Sequence, residues 1–366
     1  MKLSDFDYRL PSDLIAQVPV EPRDHSRMMV LRRNFNDAPQ MLHKILHKHF
    51  FDLPEFLRAG DVLVFNTSKV IPARILFNYR DTECEIFFVR VLPGGPQGTS
   101  LLTPKGRPCW GARSWEVMVR PGKFFRVGSV VPINADVSLE VLDILPESSY
   151  GYRVVRVSDK QGRDVFSLLA DIGSVPLPPY ITSKDGVDLY QNVYAREPGS
   201  VAAPTAGFHF TERLLSVLRE RGVDIEFVRL HVGPGTFLPV SSENITEHVM
   251  HEEFFELPVD TAESIMRAKR EGRRIISVGS TSTRVLEGCM DGDLLVPQIG
   301  STRLFIYPGY EWKIIDGLIT NFHLPKSSLL MLVAAFAGYE RTREAYRIAV
   351  EERYRFFSFG DGMLIL

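Results

Sequence analysis

Between Glu83 and Arg156 the chain carries a series of short β-rich runs and no helical signal. The runs are Glu85–Val91, Trp115–Val119, Ser129–Ile133, Ser138–Leu142 and Tyr152–Val157, separated by Gly/Pro turns. Such spacing suits a small barrel or sandwich. Helical spacing returns at Asp164–Ile172, and from Val223 the pattern changes to strand, helix, strand. Asp224–His231 reads as a strand, and Asp260–Gly272 as a helix with a capping-box-like Asp260-x-x-Glu263 start and a terminal glycine. Arg274–Gly279 reads as a short buried strand. This alternation predicts parallel strands whose end loops supply a site. Met28–Arg32, Asp61–Asn66, Ile71–Tyr79, Leu304–Tyr307 and Lys313–Thr320 add extended segments; Ser327–Ala337 and Arg341–Tyr354 add helices. The expected architecture is an α/β main domain with a mixed sheet, residues 1–61 and 156–366, interrupted by an inserted small all-β, barrel-like domain at 62–155.

The 366 residues suffice for roughly two domains, each with its own core. Cys84, Cys109 and Cys289 stand without a pairing or metal-ligand spacing, as expected in a reducing cytoplasm. No secretory apolar region opens the chain, and the longest apolar run, Leu329–Ala337, is far short of the ~20 residues that span a bilayer. A soluble cytoplasmic protein without membrane contact, acting as a monomer, is the expectation. A net charge of −2 gives no bulk support for a nucleic-acid partner, so the distribution of charge matters more. Lys105, Arg107, Arg113, Arg120, Lys123 and Arg126 are opposed only by Glu116, with Trp110, Trp115, Phe124 and Phe125 interleaved. Basic groups there can neutralise phosphates and aromatic faces can stack on unpaired bases; a solvated strand face with Trp115 in the core explains the same pattern.

Residues 201–210, Val-Ala-Ala-Pro-Thr-Ala-Gly-Phe-His-Phe, combine small residues with His209. Gly207 removes a side chain where backbone turns or comes close. A helix follows, with Thr211 as N-cap, Leu214, Leu215 and Leu218 at helical spacing, and Gly222 as its stop. Helix N-termini of this kind favour carboxylates and phosphates. Comparable polar or glycine-bearing stretches recur: Arg23-Asp-His-Ser-Arg27, Gly60–Arg74 with Asn66-Thr-Ser-Lys69, and His231-Val-Gly-Pro-Gly-Thr-Phe-Leu-Pro239. Others are Gly279-Ser-Thr-Ser-Thr-Arg284, Tyr307-Pro-Gly-Tyr310, Thr320-Asn-Phe-His-Leu-Pro-Lys-Ser-Ser328 and Phe357-Ser-Phe-Gly-Asp361. Gly279–Arg284 reads as a turn after a strand, whose hydroxyls and helix-start amides suit ribose or carboxylate oxygens and whose guanidinium suits a bidentate anion contact; a structural N-cap with Arg284 on the surface explains the same residues. The glycines at 233 and 235 lack the G-x-G-x-x-G spacing, so a dinucleotide fingerprint is rejected. His248, His251, Glu252 and Glu253 match neither H-E-x-x-H nor H-x-x-E-H, and no metal is assigned.

Taken in order, these stretches resemble the S-adenosylmethionine:tRNA ribosyltransferase-isomerases of queuosine biosynthesis over essentially the whole chain, least closely around 33–45, 92–101 and 133–150. The resemblance implies transfer and isomerisation of the ribosyl group of S-adenosylmethionine onto 7-aminomethyl-7-deazaguanine in tRNA. The products are epoxyqueuosine-tRNA, adenine and methionine, and the donor is a consumed co-substrate, with no true cofactor. The sulfonium acidifies the adjoining ribosyl carbon, so a moderate base suffices to form an ylide. His209 is the first choice for that base, with His323 and His231 as alternatives, since imidazole titrates near neutrality. Substrate-binding roles fall to Arg23, Asp24, Arg27, Asn66, Lys69, Arg74, Thr205, Gly207, Gly233, Gly235, Thr281, Thr283, Arg284, Asn321 and Lys326. tRNA contacts fall to Lys105, Arg107, Arg113, Arg120 and Lys123. Ser280 and Gly362 depart from the usual threonine and alanine of the family's stretches without putting the activity in doubt. An S-adenosylmethionine-dependent tRNA methyltransferase and a non-catalytic RNA-binding module are the competing readings.

Overall fold

Apolar runs too short for helices become the buried strands of a large sheet. The computed structural model describes residues 1–33, 45–92, 114–145, 151–183, 185, 187–237, 240 and 242–366. Three strands come first: β1 (Arg27–Leu31), β2 (Leu46–His49) and β3 (Val62–Asn66). Next are β4 (Arg74–Tyr79), β5 (Thr82–Val91), β6 (Ser114–Arg120), β7 (Val130–Pro132), β8 (Val137–Ile144) and β9 (Tyr152–Asp159). The last set is β10 (Asp224–Leu230), β11 (Glu253–Leu257), β12 (Ile275–Val278), β13 (Gln298–Thr302), β14 (Gly317–Asn321) and β15 (Gly362–Ile365). The helices are α1 (Val165–Ile172), α2 (Glu212–Glu220), α3 (Val259–Arg270), α4 (Gly279–Gly288), α5 (Ser328–Ala337) and α6 (Tyr339–Glu351).

The chain divides into two units, one of residues 1–69, 177–197 and 203–366, the other of residues 70–176 and 198–202. The larger unit holds a mixed nine-stranded sheet in the order β13-β11-β10-β3-β12-β14-β15-β1-β2. Its core gathers Phe65, Phe210, Leu214, Leu218, Ile276 and Ile319. The smaller unit is a six-stranded antiparallel sheet, β4-β5-β6-β9-β8-β7. Ile86, Phe88, Trp115, Val117, Phe125 and Leu139 are among its core residues, which makes Trp115 and Phe125 packing residues.

Several elements differ from the sequence expectation. The sequence pattern starts the β insertion at residue 62, yet β3 pairs with both β10 and β12, deep in the larger sheet. A strand buried on both faces is a continuous apolar run and carries no mark of which sheet it serves. Conversely α1 sends Leu168 and Leu169 into the smaller unit's core, so that unit extends past residue 156. Leu304–Tyr307 is no strand. The Leu304 carbonyl accepts from Arg284 Nε (3.0 Å) and its N–H donates to Thr302 Oγ1 (3.1 Å), so side chains take the groups a ladder needs. Helix α3 is entered from Pro258 without a side-chain cap, leaving Asp260 as a first-turn acid rather than a capping residue. Among the described residues no helix is long and apolar enough to cross a membrane.

Thr211 is the N-cap of α2, its hydroxyl accepting from the Leu214 N–H (3.1 Å). The same hydroxyl donates to Asp24 Oδ2 (3.0 Å). Thr211→Ala is expected to lower unfolding free energy by about 1–2 kcal/mol, the cost of a lost cap, read as a shifted urea midpoint at unchanged slope.

Candidate active site at the carboxyl edge of the parallel strands

Strands β3, β10, β12 and β14 run parallel, so Asn66, Leu230, Val278 and Asn321 end at one edge of the sheet. Antiparallel β15 places Gly362 opposite Asn321, and β1, parallel to β15, sets Met28 beside Gly362. Antiparallel β2 and β11 bring His49 and Phe255 to the same edge, opposite Arg27 and Leu230. Ligands of open α/β sheets bind outside the carboxyl ends of such strands. Most of the polar stretches singled out in the sequence lie along this edge.

His209 is the hub of the first cluster. It ends the short 3₁₀ turn Thr205–His209 and is 2 % exposed. Its ring lies flat on Phe50, with centroids 3.9 Å apart and planes 2° from parallel. Nδ1 is 2.7 Å from Ser26 Oγ and Nε2 is 3.3 Å from Asn321 Nδ2. An amide nitrogen only donates, so Nε2 accepts and the ring proton sits on Nδ1, donated to Ser26 Oγ. Ser26 Oγ in turn donates to the Arg23 carbonyl (2.8 Å), and Asn321 also donates to the Phe357 carbonyl (3.1 Å). Thr205 Oγ1 reaches Asn321 Oδ1 at 3.4 Å. Burial, reinforced by the Arg355 and Arg23 charges, pushes the imidazole down to about 3. Gly207 is demanded by packing: a Cβ there would stand 1.8 Å from the Tyr194 hydroxyl and 2.6 Å from Asn192 Oδ1. Gly362 likewise leaves room, since a Cβ would meet Phe50, the Thr320 carbonyl and His209 Nε2 at 2.9–3.0 Å.

The second cluster centres on His231 and Arg284. His231 Nδ1 is 2.7 Å from Ser68 Oγ, its ring lies near-parallel to Phe254, and no partner of Nε2 occurs among the described residues. Burial first, then the Arg229 charge, lower its pKa to about 4. Asn66 clamps the strand end: Nδ2 donates to the Leu230 carbonyl (2.9 Å), while Oδ1 accepts from the Ser68 and Leu230 N–H groups. Gly279–Arg284 is the opening of α4 rather than a free turn. Val278 caps that helix without a side-chain bond, which leaves its first N–H groups directed at the site edge. Buried Arg284 pairs with Glu253, whose Oε1 accepts from the Gly233 N–H (3.2 Å). Arg284 Nη2, Thr281 Oγ1 and Ser282 Oγ are buried and have no partner among the described residues. Gly235 packs on His251, whose ring a Cβ would meet at 2.4 Å.

Other expected residues have structural partners. Asp24 is fully buried and accepts from Thr211 and from Arg213 (3.0 Å), with Oδ1 left over. Arg23 donates to the Gln191 and Leu189 carbonyls, and Arg27 lies over Tyr354 and donates to the Glu352 carbonyl. Thr283 bonds Ser277 and the Gly279 carbonyl inside α4. His323 is locked by Thr320 at Nε2 (2.9 Å) and by Tyr8 and Tyr346 at its backbone, and burial lowers it to about 3. Lys326 pairs with Asp7 (2.8 Å), and Lys69 is exposed. Arg74 belongs to the smaller unit, paired with Glu85 (2.7 Å). That unit also carries exposed Arg120 and Lys123, the latter 4.8 Å from the Phe124 ring centroid. Lys105, Arg107 and Arg113 lie outside the described residues.

Ser26, Phe50, Ser68, Asn192 and Glu253 hold the site but were not singled out for it. Ser26 and Ser68 sit inside stretches already marked, so their place was within reach. Glu253 shares the buried face of β11 with Phe255 and Leu257, a signal hidden by the neighbouring His248, His251 and Glu252. Among the described residues no cluster of histidine, cysteine and carboxylate side chains could hold a metal ion.

His209, His231 and His323 are neutral in the fold with pKa values well below the unfolded 6.5. A depressed histidine leaves the unfolded chain binding more protons, so its stabilising share is whole above pH 6.5 and drains as pH falls toward 3–4. Urea midpoints should hold between pH 8 and 7 and drop steadily below 6.5. Each such histidine steepens the fall by about 1.4 kcal/mol per pH unit, and His323→Asn should make it shallower.

The family model described as queuosine biosynthesis protein matches residues 3–365. An S-adenosylmethionine:tRNA ribosyltransferase-isomerase of Carboxydothermus hydrogenoformans is 50% identical over 370 residues, covering 100% of both chains. One of Thermus thermophilus is 47% identical, covering 100% of this chain and 99% of its own. The crystal structure of the S-adenosylmethionine tRNA ribosyltransferase of Thermotoga maritima is 37% identical, with a TM-score of 0.53, over 99% of this chain and 100% of that one. With these matches spanning its full length, the chain belongs to the queuosine biosynthesis protein family.

Proposed function

We propose that the chain is an S-adenosylmethionine:tRNA ribosyltransferase-isomerase. It moves and isomerises the ribosyl group of S-adenosylmethionine onto 7-aminomethyl-7-deazaguanine at the tRNA wobble position. Epoxyqueuosine-tRNA, adenine and methionine are the products; the donor is consumed as a co-substrate, and no resident cofactor enters the scheme. The observation that carries this reading is the α4 opening. There Arg284 Nη2, Thr281 Oγ1 and Ser282 Oγ, buried and without a partner among the described residues, accompany an uncapped helix N-terminus, and Arg284 reaches the His231 segment through Glu253 and the Gly233 N–H. Such donors suit the carboxylate and ribose oxygens of the donor molecule. In this scheme a single chain works in the cytoplasm, where tRNA is modified and where the buried free thiols Cys84 and Cys289 stay reduced. The antiparallel unit is an inserted domain whose Arg120 and Lys123 meet tRNA phosphates.

Of the three histidines, His231 is best placed to take the sulfonium-activated ribosyl proton, because Ser68 orients Nδ1 while Nε2 meets no described partner. His209, first choice from the sequence, has both ring nitrogens engaged and acts by position. A pKa near 4 keeps His231 in its basic form at neutral pH. Its loss would cost ~10²-fold or more in rate.

Incubated with S-adenosylmethionine and tRNA bearing 7-aminomethyl-7-deazaguanine, the chain should release adenine and methionine and add an epoxycyclopentanediol to the tRNA, read by mass spectrometry. S-adenosylhomocysteine with a methylated base would instead make it a methyltransferase, and no turnover at all a binding module.

In single-turnover assays His231→Gln should slow adenine release ~10²-fold or more while donor binding persists. Near-normal chemistry in that variant, with loss in His209→Gln, would move the proton transfer to His209.

A further inference from the structure

Two phenylalanines are exposed among the described residues, Phe51 and Phe254, and both lie at the carboxyl edge of the parallel strands. Scattered apolar side chains at a surface are ordinary. Phe51 is not alone, however. Its ring is stacked with His49, with centroids 5.0 Å apart and planes 7° from parallel, and the His25 ring lies 5.0 Å away, inclined at 63° to it. Three π-systems therefore adjoin at the surface where β1 begins and β2 ends. The neighbouring residue in sequence, Phe50, is fully buried and lies flat on His209. Ser26, next to His25, accepts the His209 ring proton. The exposed rings and the buried hub are thus adjoining turns of the same two segments. Arg213, whose side chain is 69% exposed, is tethered to Asp24 beside His25 and offers a cation for a phosphate.

We propose that Phe51, with His49 and His25, is a stacking platform for an unpaired base of the tRNA anticodon loop next to the wobble nucleotide. This rests on the tRNA reading given above. Single-stranded loops are held by stacking of splayed bases on aromatic faces, with basic groups on the backbone. A platform one residue from the ring that carries His209 holds the loop while the wobble nucleotide enters the site. These rings stand apart from the His231 centre proposed for proton transfer, so the platform acts on affinity and register rather than on the chemistry.

The test uses an anticodon stem-loop RNA with 2-aminopurine placed immediately 3′ of the wobble position, added to the full chain. Binding to the wild type should quench the fluorescence. Phe51→Ala should lose most of the quench and bind ~5- to 100-fold more weakly, with unchanged binding of S-adenosylmethionine and an unchanged melting temperature. Phe51→Tyr should retain both quench and affinity. Full quench and wild-type affinity in Phe51→Ala would overturn the proposal, as would loss of the quench in Phe254→Ala alone. A wild-type chain that binds the stem-loop and makes product, yet gives no quench, would overturn the platform and leave the function standing. One that binds no RNA would overturn both.

Discussion

The edge on which this site is built is held together by one neutral imidazole. His209 joins Ser26, near the start of the chain, to Asn321, close to its other end, while Phe50 covers its face. The bond to Asn321 requires the uncharged ring: a second proton on Nε2 would set two donors against each other there, while Nδ1 donates to Ser26 in either state. Burial supplies the condition by keeping the ring neutral. The order of the loops therefore depends on exclusion of water from a single residue. Asp361 plays the corresponding role for the backbone. Its two oxygens accept from the Arg27 and Arg355 N–H groups, tying the start of β1 to the turn that precedes β15.

The Arg284–Glu253 pair is a different kind of constraint. Taking both charges out of water costs several kcal/mol, and hydrophobic residues of similar volume often serve stability as well. What apolar substitutes cannot do is bond the Gly233 N–H and the Leu304 carbonyl, as this pair does. Those bonds fix two irregular segments beside His231 and leave one guanidinium nitrogen over. The proposed donor site thus obtains its positive group already oriented, with rotamer entropy lost on folding rather than on binding.

Local chemistry made much of this legible in the sequence. Thr211 was recognisable as a cap because hydroxyl, helical leucines and terminal glycine occur in one short stretch. The paired glycines of His231–Pro239 lack the spacing of a dinucleotide loop, and the chain there forms a 3₁₀ turn, Pro234–Phe237. Non-local facts were harder to see. Nothing within Val62–Asn66 says that it is flanked by strands from residues 224 and 275. The Gly279–Arg284 stretch looked like a turn because serine and threonine favour turns in isolation, while burial of Ser282, Thr283 and Arg284 made it a helix. Glu253 was invisible as a partner because its cation lies 31 residues away. Residues chosen for chemistry, such as Arg27 and Thr283, proved to hold the backbone, a use that leaves the same polar signature.

The position of β15 has a consequence for how the molecule is made. This strand, residues 362–365, lies between β14 and β1, so the first strand of the chain lacks one of its neighbours until some 330 further residues have been synthesised. At ribosomal speeds of ~5–20 residues per second, that is a wait on the order of tens of seconds. Throughout it β1 presents a buried-type apolar edge, Met28 to Leu31, to the cell. The six-stranded antiparallel sheet has all its strands by residue 159, and its unit is completed by residue 202. A nascent chain of this order therefore carries an unpaired strand edge through most of its synthesis, a surface prone to aggregation unless it is shielded.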